Sequence, residues 1–227
     1  MTHEDATVLV VDDDASVRKA LARLIQSAGL KVKSFTSARE FLDQAPPEGL
    51  ACLVLDVRMP GLGGLDLQSE LTHRNIQIPI IFITGHGDIP TSVRAMKGGA
   101  VDFLTKPITP KDLLNVIGEA IKLDKHLKVS QTEKTEIQRR IQSLTPRERE
   151  VLFLVVQGKM NKEIADALGA AEKTVKVHRG RVMHKMQVPS VAELVRAVER
   201  VKAEGDRWPG VRPTSHSQGR TGAVRCQ

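Results

Sequence analysis

Cys52-Leu53-Val54-Leu55-Asp56-Val57-Arg58-Met59-Pro60 decides how this chain is read. Four apolar residues run into a single aspartate, and Pro60, Gly61, Gly63 and Gly64 then break any regular element. A short apolar run ended in this way predicts a strand buried on both faces, the habit of a parallel sheet. Asp56 then stands at the strand's C-terminal end, the edge at which open α/β sheets bind ligands. A plainer role, capping the helix that starts near Gly64, is open to the same residue.

The pattern repeats on either side. Thr7–Val11 is an apolar run followed at once by Asp12-Asp13-Asp14. Val17, Leu21, Leu24, Ile25 and Ala28 then recur at helical spacing before Gly29. Lys31–Phe35 is a weaker strand, 38–44 a short helix and Pro46-Pro47 a loop. The strand over 51–55 leads to a helix over 65–73, and a strand over 79–83 to a helix over 91–97. A last strand over 101–104 precedes a helix that begins at Asp112. Strand and helix alternate five times, which predicts an α/β doubly wound, five-stranded parallel sheet with helices on both faces.

In such a sheet several polar residues share one edge. Asp12 and Asp13 end the first strand, Asp56 the third and Thr84 the fourth, and Lys106 follows the fifth. Carboxylates gathered this closely disfavour ionisation unless a cation joins them. Carboxylate, carbonyl and water oxygens suit Mg²⁺. Beside it, Lys106 offers a point charge to a phosphoryl oxygen and Thr84 a hydroxyl donor.

The chain has 227 residues, enough for two ordinary domains, and its net charge of +7 is uneven. Residues 1–123 hold 13 Lys/Arg against 15 Asp/Glu, whereas residues 124–227 hold 21 against 12. A basic second half points to a polyanionic partner. Cys52 and Cys226 offer neither a disulfide framework nor a zinc spacing. With no run of 18 apolar residues and no secretory leader after Met1, the expected setting is the reducing cytoplasm, without a membrane partner.

Between the halves, Leu113, Leu114, Val116, Ile117, Ala120, Ile121 and Leu127 form an apolar face. Residues 124–143 read as a partly helical linker, with a flexible tether as the alternative; its sparse apolar points, Val129, Ile137 and Ile141, suggest a seam for pairing two chains. Thr145-Pro146 with Glu148 is a helix start of the capping-box type. Val151, Leu152, Leu154 and Val155 face its core and Gly158 ends it. Asn161 is expected to cap the next helix, which Gly169 stops. Val175, His178, Val182 and Met186 mark the core side of a third helix, and residues 191–201 form a fourth. Two short helices joined at a glycine turn are a helix-turn-helix signature, so an all-α four-helix domain follows the sheet. The outer face of the third helix carries Lys173, Thr174, Lys176, Val177, Gly180, Arg181 and His184. Lys and Arg reach guanine edges in the major groove, Val177 suits a thymine methyl, and Thr174 near the helix start suits phosphate.

Residues 6–123 resemble the receiver domain of two-component response regulators, the CheY-like fold. The resemblance rests on Val-Val-Asp12-Asp13, Leu-Asp56-Val-Arg-Met-Pro-Gly, Ile-Thr84-Gly-His-Gly-Asp and Gly-Ala-Val-Asp-Phe103-Leu-Thr-Lys106-Pro107. It implies that Asp56 accepts a phosphoryl group from a sensor histidine kinase. Asp12, Asp13, Asp56 and the Arg58 backbone carbonyl would be the Mg²⁺ ligands, Asp12 through water. Thr84, Phe103 and Lys106 would bind the phosphoryl group and switch, and Lys106-Pro107 would be cis. Arg58 and His86 would govern access of water to the site.

The second half resembles the LuxR-type DNA-binding domain through Leu-Thr-Pro-Arg-Glu-Arg-Glu-Val-Leu, Gly-Lys-Met-Asn161-Lys-Glu-Ile-Ala and Lys-Thr174-Val-Lys-Val-His178-Arg. Together the halves resemble the FixJ/NarL class, and most closely FixJ. Ala170-Ala171 departs from the Ile-Ser usual before the recognition helix. The expected organisation is a receiver over 6–123, a linker over 124–143, a DNA-binding domain over 144–203 and a disordered tail over 204–227. The expected partners are the kinase, operator half-sites in double-stranded DNA, a second copy of the chain on phosphorylation, and RNA polymerase. An enzymatic alternative is a Mg²⁺-dependent phosphatase with a carboxylate nucleophile. It would carry a second aspartate two residues beyond the nucleophile, where Arg58 stands. A DNA-binding protein with an idle receiver is the other alternative.

Overall fold

Apolar runs too short for helices become strands here, and the structure, a computed structural model, describes residues 6–45, 49–85 and 88–202. Pro46, Pro47, His86 and the tail expected to be disordered lie outside the described residues. The chain divides into two units between Ser130 and Gln131.

In the first unit the elements run β1 (Thr7–Val11), α1 (Ala15–Ser27), β2 (Lys31–Phe35), α2 (Ala38–Leu42), β3 (Ala51–Asp56), α3 (Gly64–His73), β4 (Ile80–Thr84), α4 (Ile89–Lys97) and β5 (Asp102–Thr105). The helix α5 (Pro110–Gln142) follows. All strand pairs are parallel, in the order β2-β1-β3-β4-β5. The order reverses between β1 and β3, so a crevice opens at their C-terminal ends. Successive side chains alternate between faces. Leu9, Val11, Leu53, Leu55 and Phe82 pack with Phe41, Leu67, Leu71 and Ala95 of α2, α3 and α4. Val8, Val10, Cys52, Val54, Ile81 and Ile83 pack with Leu21 and Ile25 of α1 and with Leu113, Ile117, Ala120 and Ile121 of α5. All six residues of β3 are buried, as its unbroken apolar run predicts.

One glycine fixes how the edge is built. A Cβ on Gly64 would stand 2.3 Å from the Asp56 carbonyl oxygen and 3.1 Å from both the Phe82 ring and the Val57 Cα. Only glycine lets α3 start this close to the end of β3. Gly63 is the N-cap of α3 and supplies no side-chain bond, and Asp56 does not cap this helix.

Helix is continuous from Pro110 to Gln142, so the connector is helical over more of its length than expected and is not a flexible tether. The expected pairing seam also fails. Ile137 and Ile141 are buried in the core of the second unit, and of the three apolar points only Val129 is exposed.

In the second unit the end of α5 is followed by α6 (Pro146–Val156), α7 (Asn161–Leu168), α8 (Glu172–Met186) and α9 (Val191–Lys202). Val151, Leu152, Ile164, Val175, Val182, Leu194 and Val198 fill its core. The capping box at α6 forms: the Thr145 hydroxyl accepts from the Glu148 amide and the Glu148 carboxylate from the Thr145 amide. Asn161 does not cap α7. Met160 holds that position, its amide donating to Glu163, while the Asn161 side-chain oxygen accepts from Arg179 at 2.9 Å. A guanidinium 18 residues away claims the group that a local reading assigns to the helix end.

Candidate functional site

The edge cluster starts from β1 and β3. Asp12 follows β1 and is 1% exposed, and Asp56 ends β3 at 6%. Two buried carboxylates need a compensating charge. Lys106 supplies it from beyond β5: its Nζ donates to Asp12 Oδ2 and to Asp56 Oδ1, both at 2.8 Å. The Lys106 amide donates to the Thr84 carbonyl, and the Lys106-Pro107 bond is cis, as the resemblance implies. The remaining carboxylate oxygens are held locally. Asp56 Oδ2 accepts from the Arg58 amide at 2.7 Å, and Asp12 Oδ1 from the Asp14 amide at 2.8 Å. Burial pushes the Asp56 carboxyl above its ordinary value, against the opposing pull of Lys106 and the Arg58 amide. Burial draws the Lys106 ammonium down, but its bonds to Asp12 and Asp56 outweigh this and hold it above the ordinary lysine value.

Asp12, Asp56 and Lys106 are therefore brought together. Thr84 is buried at the end of β4, and Phe103 is half-buried, its ring 6.4 Å from that of Phe82. Asp13 is exposed and takes no part in the cluster's hydrogen bonds. Among the described residues no three His, Cys, Asp or Glu side chains converge as a ready cation cage. Two carboxylates are held by Lys106, yet Asp12, Asp13 and Asp56 outnumber that one cation, and carboxylate oxygens with an excess of negative charge suit a hard divalent ion.

Three nearby contacts escape a reading by motif. Asp14 caps α1, accepting from the Ser16 and Val17 amides, a role that its place before a helix signals. Arg18 Nη1 donates to the Asp12 carbonyl at 2.6 Å. Arg58 Nη2 lies 3.9 Å from Asp88, the N-cap of α4, across two exposed side chains. No spacing rule finds the last two, because the fold alone makes those residues neighbours.

The second surface is α8. Val175, Val182 and Met186 are buried on one side. Lys173, Thr174, Lys176, Val177, Gly180, Arg181 and His184 are exposed. His178, expected on the core side, is half-buried, and its Nδ1 has no hydrogen-bond partner. Ala171 occupies the N-cap without a side-chain bond. Amides in the first turn of α8 are left for another acceptor.

Residues 8–118 match the response regulator receiver domain family, and residues 142–198 match the bacterial regulatory proteins, luxR family. Nodulation protein W of Bradyrhizobium diazoefficiens is 52% identical over 194 residues, 86% of each chain. The chain belongs to the FixJ/NarL class of two-component response regulators. The transcriptional regulatory protein FixJ of Azorhizobium caulinodans is 44% identical, over 85% of this response regulator and 92% of that relative. Among solved structures, response regulator StyR is 49% identical with a TM-score of 0.73, over 86% of this chain and 98% of that one. Full-length FixJ from B. japonicum is 42% identical with a TM-score of 0.54, over 87% and 97%. This response regulator is a transcription regulator with a receiver and a LuxR-type DNA-binding domain, not a conventional enzyme. No helix among the described residues is long and apolar enough to cross a membrane.

Proposed function

We propose that a sensor histidine kinase phosphorylates Asp56 and that the phosphorylated chain pairs and binds operator half-sites in double-stranded DNA. One observation carries this reading: the buried Asp56 shares Lys106 with Asp12 at the crevice, in a chain that also presents an exposed basic helix. An Asp56 oxygen forms the new bond to phosphorus as the bond from phosphorus to the donor's imidazole nitrogen breaks and its electron pair stays on nitrogen. Lys106 stabilises the charge on the phosphoryl oxygens. Asp13, Asp56 and the Arg58 carbonyl would hold Mg²⁺ directly and Asp12 through water, and the ion, when bound, neutralises the clustered anions.

Thr84 donates its hydroxyl to the phosphoryl group, and Phe103 turns into the space this vacates; its half-buried position beside Phe82 suits such a turn. Ile89, Val93 and Met96 form an exposed apolar stripe on α4, which supports pairing of two receivers. Two DNA-binding domains then meet two half-sites. Lys176, Val177, Arg181 and His184 face the bases, with Lys173 and Thr174 at the backbone. Within this reading the receiver spans 6–123, the DNA-binding domain spans 144–203, RNA polymerase is the downstream partner and the cytoplasm the setting.

The test is the affinity for a duplex selected from a random pool by the phosphorylated protein, together with mass in solution, with and without acetyl phosphate. Acetyl phosphate should raise both. Unchanged affinity and mass in fully phosphorylated protein would overturn the reading.

A further inference from the structure

Opposite the Asp56 edge, another buried acid sits where the apolar stripe of α5 predicts a hydrophobe. Leu113, Ile117, Ala120 and Ile121 are buried, and the next inward position is Asp124, 1% exposed. Its Oδ2 accepts from the amide of Ala51, the first residue of β3, at 2.8 Å. The same oxygen accepts from Lys128 Nζ at 2.7 Å, and Lys128 also donates to the Gly49 carbonyl. Asp124 Oδ1 is buried and has no hydrogen-bond partner.

This arrangement is poorly explained as a stabilising one. Burying a carboxylate with one oxygen unsatisfied is unfavourable, and a leucine there would continue the packed stripe. The acid instead links two elements of the fold. It ties the turn at which α5 leaves the first unit to the start of β3, and β3 ends, about 17 Å away, in Asp56. All six β3 residues are buried, so the strand moves as a packed whole. Farther along α5, Ile137 and Ile141 belong to the core of the DNA-binding unit.

We propose that Asp124 and Lys128 fasten the exit turn of α5 to the start of β3, and that this fastening passes the state of the Asp56 edge to the DNA-binding unit. Both are positioning residues; neither touches the phosphoryl group or DNA. The inference rests on the functional reading above.

The experiment uses the full chain, acetyl phosphate and the selected duplex, comparing wild type with Asp124→Leu and Asp124→Asn. Asp124→Leu should be labelled at Asp56 as wild type is. Its phosphorylation-dependent gain in DNA affinity should fall by at least about fivefold. Amide exchange at Ala51, which loses its acceptor, should quicken about tenfold. A full gain in affinity in Asp124→Leu would overturn the inference alone. No gain in the phosphorylated wild type would overturn the functional reading and this inference with it. Should Asp124→Leu not fold, Asp124→Asn decides: it keeps an oxygen for Ala51 but loses the ion pair, and an undiminished gain in it overturns the inference.

Discussion

The Asp56 edge is assembled from residues as far as 94 positions apart, whereas the exposed face of α8 comes from one helix of 15 residues. At the edge, each group's chemistry depends on distant neighbours. Asp56 is buried, paired and shifted because β1, β4 and the turn after β5 converge on it. On α8, spacing alone selects the outer face, and Val175, Val182 and Met186 mark the buried side behind it. A site of the first kind should respond to changes outside its own residues. A site of the second kind should respond mainly residue by residue.

The largest effect expected from that contrast is at Gly64, which carries no functional group. Gly64→Ala forces a methyl against the Asp56 carbonyl, so stability should fall by about 3 kcal/mol in urea titration and the rate of phosphoryl labelling should fall with it. Labelling at the wild-type rate would break the claim that the edge is built by close approach. On α8, Lys176→Ala should weaken binding to the selected duplex by about 2 kcal/mol at fixed salt, leaving stability and non-specific binding nearly unchanged. A uniform loss across all sequences would make Lys176 a backbone contact.

Glu148 tests whether the second unit contains long-range polar structure of its own. Burial raises its carboxyl, but the bond from Lys185 and the amide and hydroxyl of Thr145 outweigh this and hold it below its ordinary value of 4.5. A depressed folded value stabilises the fold at pH above the unfolded value, and this is lost as pH falls through and below 4.5. Glu148→Gln should therefore lower stability by about 1.5 kcal/mol at pH 7, and the gap from wild type should narrow as pH drops below the ordinary carboxylate range. A gap that widens with acid would contradict the assignment. The smallest change is Ala171→Ser, which restores a side-chain acceptor at the start of α8 and should stabilise the second unit by about 1 kcal/mol in thermal unfolding.

The same contrast explains what the sequence makes legible. The ends of β1, β3, β4 and β5 are readable because their apolar runs meet Asp, Gly or Pro, and all five strands lie within a residue or so of their expected bounds. The inner and outer sides of α8 follow from 3.6-residue periodicity. Where a residue's partner is remote, local reading fails. Asn161 reads as a cap until Arg179 is seen to hold it. Ile137 and Ile141 read as a sparse seam because their partners come from α6 to α9. Gly64 reads as turn chemistry, although its contact is with the strand before it. Asp124 gives only a faint signal, an acid one step beyond an apolar stripe.

Labelling by acetyl phosphate, with the modified residue located by peptide mapping, tests the central claim most directly. Wild type should carry one acid-stable, base-labile phosphoryl group on Asp56, and Asp56→Asn should carry none. Equal incorporation in Asp56→Asn would remove Asp56 as the acceptor and contradict the account.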